Sequence, residues 1–227
     1  MVSGKPGENF SSPNGSFSDP AIGNAIIVEI KSAKNHRNTA EVALSDGFSF
    51  LCPVSLIEEE GLCEGLPVTD KGLRAILLEA DVRRASETAL RLLAASEHSC
   101  RQLEGKLLRR GFPAAAAGET VRRLSEEGSL SDRRYAEEWI RGRLLRRPEG
   151  PGLLVAGLRN RGIARELAEE TVAAYAGGER ERDAARRLIE KQLVKRSLAE
   201  EDLVKLLKSR GFSWQCIRAV RSEYPAP

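Results

Sequence analysis

The sequence predicts a mainly α-helical protein of tandem three-helix repeats, stacked in an elongated curved array behind a small N-terminal β-sheet. Three observations predict this. Leu, Ala, Arg and Glu dominate the later part of the 227-residue chain and aromatics make up only 5%, a bias that favours helix over strand. A helix-ending glycine recurs in matched contexts at Gly111, Gly162 and Gly211. Partly alternating, β-branched stretches are confined to the first quarter of the chain.

Residues 1–22, rich in Gly, Ser, Pro and Asn, read as a disordered tail. The segments AIIVEIKSA and TAEVALSDGFSFLCPV predict strands over 25–32, 39–44 and 48–53, with KNHRN as a polar turn and Asp46-Gly47 as a two-residue hairpin signal. Three short strands need a helix to cover their apolar face. Val54-Ser55-Leu56-Ile57-Glu58 starts a short helix that stops near Gly61. Thr69 and Asp70 then cap a long helix from about Lys71, whose Leu73, Ile76, Leu77 and Ala80 form an apolar stripe. The predicted organisation is a tail over 1–22, sheet plus helix over 23–82, and repeats over 83–127, 128–177 and 178–227.

The repeat emerges from three segments that align without gaps: Leu103-EGK-Leu107-LRRGF, Leu154-VAG-Leu158-RNRGI and Leu203-VKL-Leu207-KSRGF. In each, leucines stand four and eight residues before a glycine, a basic residue precedes it, and Phe112, Ile163 or Phe212 follows. A glycine just past a helix takes the left-handed conformation that a Cβ disfavours. The following large residue then packs on Leu107, Leu158 or Leu207. One R-G-F is weak evidence; three at an interval of roughly 50 residues specify a repeated helical unit. Flanking helices are predicted before each Gly-terminated helix (ALRLL, RRYAEEWI, DAARRLIEKQL) and after it (AAGETVRRL, ARELAEETVAAY, WQCIRAVRSEY). Such units cannot bury their faces alone and stack on one another.

The net charge of +3 hides an asymmetry: residues 1–82 carry 6 Lys/Arg against 12 Asp/Glu, and residues 83–227 carry 30 against 21. A basic half of this size points to an acidic partner, nucleic acid first; the alternative is an Arg/Glu-laced solvated surface. Cys52, Cys63, Cys100 and Cys216 are scattered without a C-x-x-C, and His36 and His98 are the only histidines. No metal site, cofactor site or disulfide framework is expected. With no apolar leader and no long apolar run, no membrane association is expected, and a cytoplasmic monomer is.

No catalytic constellation is present. Glu104-Gly105-Lys106-Leu107 lacks both the first glycine and the Ser/Thr of a phosphate loop. His98 and Cys100 have no third group to orient them. Asp132 reads as a helix-start residue with Ser131. What remains is basic. Arg133, Arg134, Arg141, Arg143, Arg146 and Arg147 cluster on the first helix of the second repeat and the loop after it, outward from Tyr135, Ala136 and Ile140. Guanidinium groups suit phosphates and carboxylates through paired hydrogen bonds; the competing reading is ion pairing with Glu137, Glu138 and Glu149. Arg109, Arg110, Arg159, Arg161, Lys208 and Arg210, before the three glycines, form a second possible row.

These residues resemble the RecX family of regulators of the RecA recombinase, from about Ile26 to Tyr224. The first repeat carries the likeness in Ala89 through Phe112, with Ser99, Leu103, Lys106 and Leu107. The second carries it in Gly128, Leu130, Asp132, Tyr135, Ala136, Ile140, Arg141, Arg143 and Leu144, then Gly150-Pro151 and the ending at Gly162. Ala95 departs from an Arg common in the family, and Gly105 and Gly157 occupy helix interiors, each costing about 1 kcal/mol relative to Ala. The resemblance implies a non-enzymatic protein that lies in the groove of a RecA–DNA filament, touches DNA, and inhibits ATPase, strand exchange and co-protease activity. The residues alone leave open an independent DNA-binding module without a recombinase partner, or a helical scaffold for acidic proteins.

Overall fold

The structure, a computed structural model, describes residues 25–33, 38–194 and 199–224. The predicted tail and most of the KNHRN turn lie outside the described residues. β1 (Ala25–Ser32), β2 (Thr39–Leu44), β3 (Ser49–Pro53) and the two-residue β4 (Pro67–Val68) form an antiparallel sheet in the order β3-β2-β1-β4. β4 extends the three predicted strands by one edge. Ile27 pairs with Leu44 and Ile30 with Val42, with a bulge between Ile27 and Glu29. Residues three apart cannot share a face of a regular strand. The extra bulge residue brings both isoleucines to the same core.

The β2–β3 turn corrects the two-residue expectation. The Leu44 N–H donates to the Phe48 carbonyl at 2.8 Å, which leaves a three-residue loop, Ser45–Gly47. Gly47 takes φ +87° and the Asp46 carboxylate accepts the Phe48 N–H at 2.9 Å. A left-handed third residue is the natural ending of such a loop. The sheet is covered by α1 (Val54–Glu59) and the first half of α2 (Asp70–Ala95), whose Leu73, Leu77 and Ala80 share a core with Val42, Leu44, Cys52 and Leu56. Thr69 caps α2 by accepting the Gly72 N–H at 3.2 Å.

Among the described residues eight further helices follow: α3 (Cys100–Leu108), α4 (Ala114–Glu126), α5 (Asp132–Arg146), α6 (Pro151–Arg159), α7 (Arg165–Ala176), α8 (Glu179–Leu193), α9 (Glu200–Ser209) and α10 (Trp214–Arg221). The three glycine endings share one geometry. Gly111, Gly162 and Gly211 have φ of +86°, +89° and +79°. The next residue's N–H donates to Leu107, Leu158 or Leu207 at 3.3, 3.2 and 3.2 Å, while the glycine N–H reaches Leu108, Arg159 or Lys208. This is the Schellman pattern, and it consumes two carbonyls that a helix end leaves open. Ile163 and Phe212 are buried, whereas Phe112 is half-buried.

Contacts divide the chain into two compact units. One runs to Leu92 and includes Glu104–Leu124; the other comprises Leu93–Leu103 and the chain from Ser125 onward. In the first, Glu79 of α2 accepts from Arg83 at 3.1 Å and from Arg123 of α4 at 2.8 Å. Arg83 also pairs with Glu59 of α1, and Arg123 with Glu119. In the second, α5–α7 enclose one core around Ile140, Leu154, Leu158 and Val172, and α8–α10 another around Leu188, Ile189, Leu207 and Ile217.

The glycine endings also join one repeat to the start of the middle helix of the repeat before it. Ser99, which caps α3 by accepting the Gln102 N–H at 3.2 Å, donates its hydroxyl to the Arg161 carbonyl at 2.7 Å. One repeat further on, the Gly150 N–H donates to the Arg210 carbonyl at 2.8 Å and the Gly152 N–H to the Gly211 carbonyl at 3.0 Å. A Cβ at Gly150 would stand 2.3 Å from the Phe212 nitrogen. The glycines around Pro151 are therefore what lets the next repeat's ending seat.

Candidate nucleic-acid and partner interface

α5 is positioned by its inward face, Tyr135, Ala136 and Ile140, all buried in the repeat core, and by Ser131, which accepts the Arg134 N–H at its start. Asp132 does not cap its own helix. Its carboxylate accepts the Cys100 N–H of α3 at 2.8 Å, adding a second tie to that helix start.

The predicted basic residues separate into three groups. Arg133 pairs with Glu170 at 2.9 Å, Arg134 with Glu97 at 2.8 Å, and Arg143 with the buried Glu149 at 2.8 Å. Each carboxylate occupies an arginine's hydrogen-bonding groups, although only Glu149 is buried; Glu170 and Glu149 hold Arg133 and Arg143 above the ordinary arginine pKa through hydrogen bonding. Of the pairing partners expected from sequence, only Glu149 appears among these; Glu97 and Glu170 come from outside the helix. Arg141, Arg146 and Arg147 are exposed and form no ion pair with any described residue. They occupy an acid-free run, residues 141–148.

The row before the glycines is mixed. Arg109, Arg159 and Arg210 have no carboxylate partner among the described residues. Arg110 donates to the Lys106 carbonyl at 3.2 Å, and Arg161 to the Gly157 carbonyl at 2.8 Å. Lys208 sits 4.0 Å from the centre of the Trp214 ring. Arg109 and Arg110 belong to the first unit and the others to the second.

Sequence reasoning missed Trp139. Its indole stands against Gly157, where a Cβ would lie 2.4 Å from the ring, so the helix-interior glycine makes room for the ring. Arg161 and Arg143 lie 4.7 and 5.8 Å from its centre, within cation–π range. Trp139, Tyr135, Arg143, Arg146 and Arg161 line a cleft with Glu97 and Glu138. The pairing of Gly157 with a tryptophan on the preceding helix was the available signal. No equivalent contact explains Gly105.

Three of the thiols, Cys52, Cys100 and Cys216, are not poised as nucleophiles. Burial pushes Cys52 and Cys216 each up to about 11 and raises Cys100, so the unreactive protonated form prevails. Among the described residues no His/Cys/Asp/Glu group could hold a metal ion, and no helix is long and apolar enough to cross a membrane.

Residues 85–124 match the family model of the first three-helix domain of RecX, and residues 131–172 that of the second. A protein named Regulatory protein RecX from Pelodictyon phaeoclathratiforme is 35% identical over 136 residues, covering 58% of this chain and 82% of that one. Another of that name, from Clostridium perfringens, is 25% identical over 201 residues, covering 86% and 93%. A crystal structure of regulatory protein RecX superposes with a TM-score of 0.69 at 19% identity over 87% of this chain and 99% of that one, a likeness of fold. The mainly helical architecture, the two matched three-helix domains and the identity to curated relatives place this chain in the RecX family of regulatory proteins.

Proposed function

We propose that this protein regulates a RecA-type recombinase by binding its filament and the DNA within it, and that it lowers the filament's ATPase, strand-exchange and co-protease activities in the cytoplasm. The observation that carries this reading is the uncompensated charge of Arg141, Arg146 and Arg147. An arginine whose carboxylate lies in its own fold has its fork occupied. These three remain able to grip phosphate or carboxylate oxygens from a partner with two parallel hydrogen bonds. Arg141 and Arg146 project from a helix locked by a packed core and Arg147 is the residue that ends it, so little ordering is required on binding.

Repetition supports the same reading. A filament offers one binding surface many times along its length. A chain of helical repeats with separate basic faces can engage it at several points, and modest contacts multiply through effective concentration. The test is inhibition of RecA-driven strand exchange by the wild-type protein and by a variant carrying Arg141→Ala, Arg146→Ala and Arg147→Ala. None of the three supports the fold, so the variant should keep its helicity and lose inhibition. Undiminished inhibition would refute the assignment of these residues. Arg133→Ala, which removes a charge already paired, should have the smaller effect.

A further inference from the structure

Among the described residues one aromatic side chain is exposed: Trp214, at 55%. It opens α10 on a turn held from several sides. The Ser213 hydroxyl caps the helix by accepting the Cys216 N–H at 3.2 Å. Behind it the buried carboxylate of Glu181 accepts the Ser213 N–H at 2.7 Å and its hydroxyl at 3.0 Å. Phe212, the residue before, is in the core, and the Gly211 carbonyl is bound by Gly152. The indole is thus presented to solvent on a rigid support, which a merely incidental surface tryptophan does not require.

Its electrostatic surroundings are one-sided. Residues 203–222 contain Lys205, Lys208, Arg210, Arg218 and Arg221 and no Asp or Glu. Lys205 and Arg221 pair with Glu201 and Glu200 of α9. Lys208, Arg210 and Arg218 pair with no carboxylate among the described residues. The Lys208 ammonium lies over one face of the indole, 4.0 Å from its centre, so a base would stack on the opposite face, and Arg218 stands one helical turn beyond Trp214 on the same face of α10.

An exposed aromatic ring flanked by uncompensated cations matches the needs of a single nucleic-acid strand, in which each base offers a flat face and each link a phosphate. A duplex hides its base faces in the stack. An acidic peptide would use the cations and leave the ring without a complementary surface. We propose that Trp214 is a stacking platform for an unpaired base of single-stranded nucleic acid, with Lys208 and Arg218 taking flanking phosphates. The inference shares with the proposed function only the idea that nucleic acid belongs to the partner; its site is a different repeat from Arg141, Arg146 and Arg147.

The test uses the full-length protein with Trp139→Phe, which leaves Trp214 as the only tryptophan, titrated with oligothymidylate at low salt. Binding should quench Trp214 emission. In the wild-type background Trp214→Ala should weaken oligothymidylate binding by about 5- to 150-fold, the range for loss of one stacked base, with helicity unchanged and Trp214→Phe partly restoring affinity. If Trp139→Phe does not fold, the emission change of wild type minus that of Trp214→Ala gives the same readout. Unchanged Trp214 emission at saturating oligothymidylate, equal quenching by a hairpin duplex, or a response only to the recombinase would overturn the platform. Loss of the platform with RecA inhibition intact leaves the regulatory reading standing; quenching by the oligonucleotide without any effect on RecA does the reverse.

Discussion

Replacing Gly150 by alanine isolates the contact that joins the third repeat to the second. Gly150 has φ −81° and ψ 165°, values open to any residue, so the substitution introduces no backbone strain of its own. The added methyl would meet the Phe212 nitrogen at 2.3 Å and the Gly211 carbonyl at 2.4 Å. The chain has two reliefs. If the Arg210–Gly211 ending withdraws, the bonds from Gly150 and Gly152 are lost, at roughly 1 kcal/mol each. If it stays, overpacking costs about 1–3 kcal/mol. Either way about 1–3 kcal/mol is expected, a drop of about 0.5–1.5 M in a urea midpoint for a domain of this size. Trp139 and Trp214 both belong to the unit that contains Gly150, so tryptophan emission follows that unit's unfolding. Gly142→Ala is the control: a Cβ there meets nothing within 4 Å, and alanine in a helix interior should stabilise by up to about 1 kcal/mol. A Gly150→Ala protein within 0.5 kcal/mol of wild type, a bound far under the roughly 2 kcal/mol from the bonds alone, would refute the docking argument.

Ser99→Ala removes both the α3 cap and the hydroxyl bond to the Arg161 carbonyl and should cost about 1–3 kcal/mol; calorimetry showing no change would mean neither bond matters. Gly157→Ala should shift Trp139 emission and disturb its stacking with Arg161, since the ring must leave the notch it occupies; an unaltered spectrum would deny the fit. The Arg83–Glu79–Arg123–Glu119 network should make the first unit acid-sensitive. Hydrogen bonds from Arg122 and Arg123 push Glu119 down to about 2, and those from Arg123 and Arg83 lower Glu79. Carboxylates with depressed folded-state pKa values stabilise above their unfolded values, near 4.5, and that contribution disappears as pH falls toward about 2. Circular-dichroism melts of Glu119→Gln should fall less steeply with acid than wild type; parallel curves would contradict the assignment.

Much of this fold was legible because it rests on local rules. The leucine spacing before each glycine set the helix face, and the glycine set the ending, so α3, α6 and α9 could be placed from ten residues apiece. Contacts between distant segments were not legible. Nothing local to Asp132 says that its carboxylate caps a helix starting at Cys100, and nothing in Gly150-Pro151-Gly152 says that Arg210 and Gly211 rest on it. The same limit applies to the interface. All six arginines from Arg133 to Arg147 look alike in sequence; the fold separates them by bringing Glu170 and Glu97 to two, and burying Glu149 beside a third. Trp214 stood in the sequence only as the first residue of a predicted helix; the fold puts Phe212 in the core and leaves Trp214 exposed.

Regulation of a recombinase filament is read out by ATP hydrolysis by the cognate RecA on single-stranded DNA, with this protein titrated in. Hydrolysis should decline at protein levels well below those of RecA and of free DNA sites, and the decline should be lost when Arg141, Arg146 and Arg147 are all alanine. Unchanged hydrolysis at every ratio, with salt-sensitive binding to DNA alone, would contradict it and leave an independent DNA-binding protein.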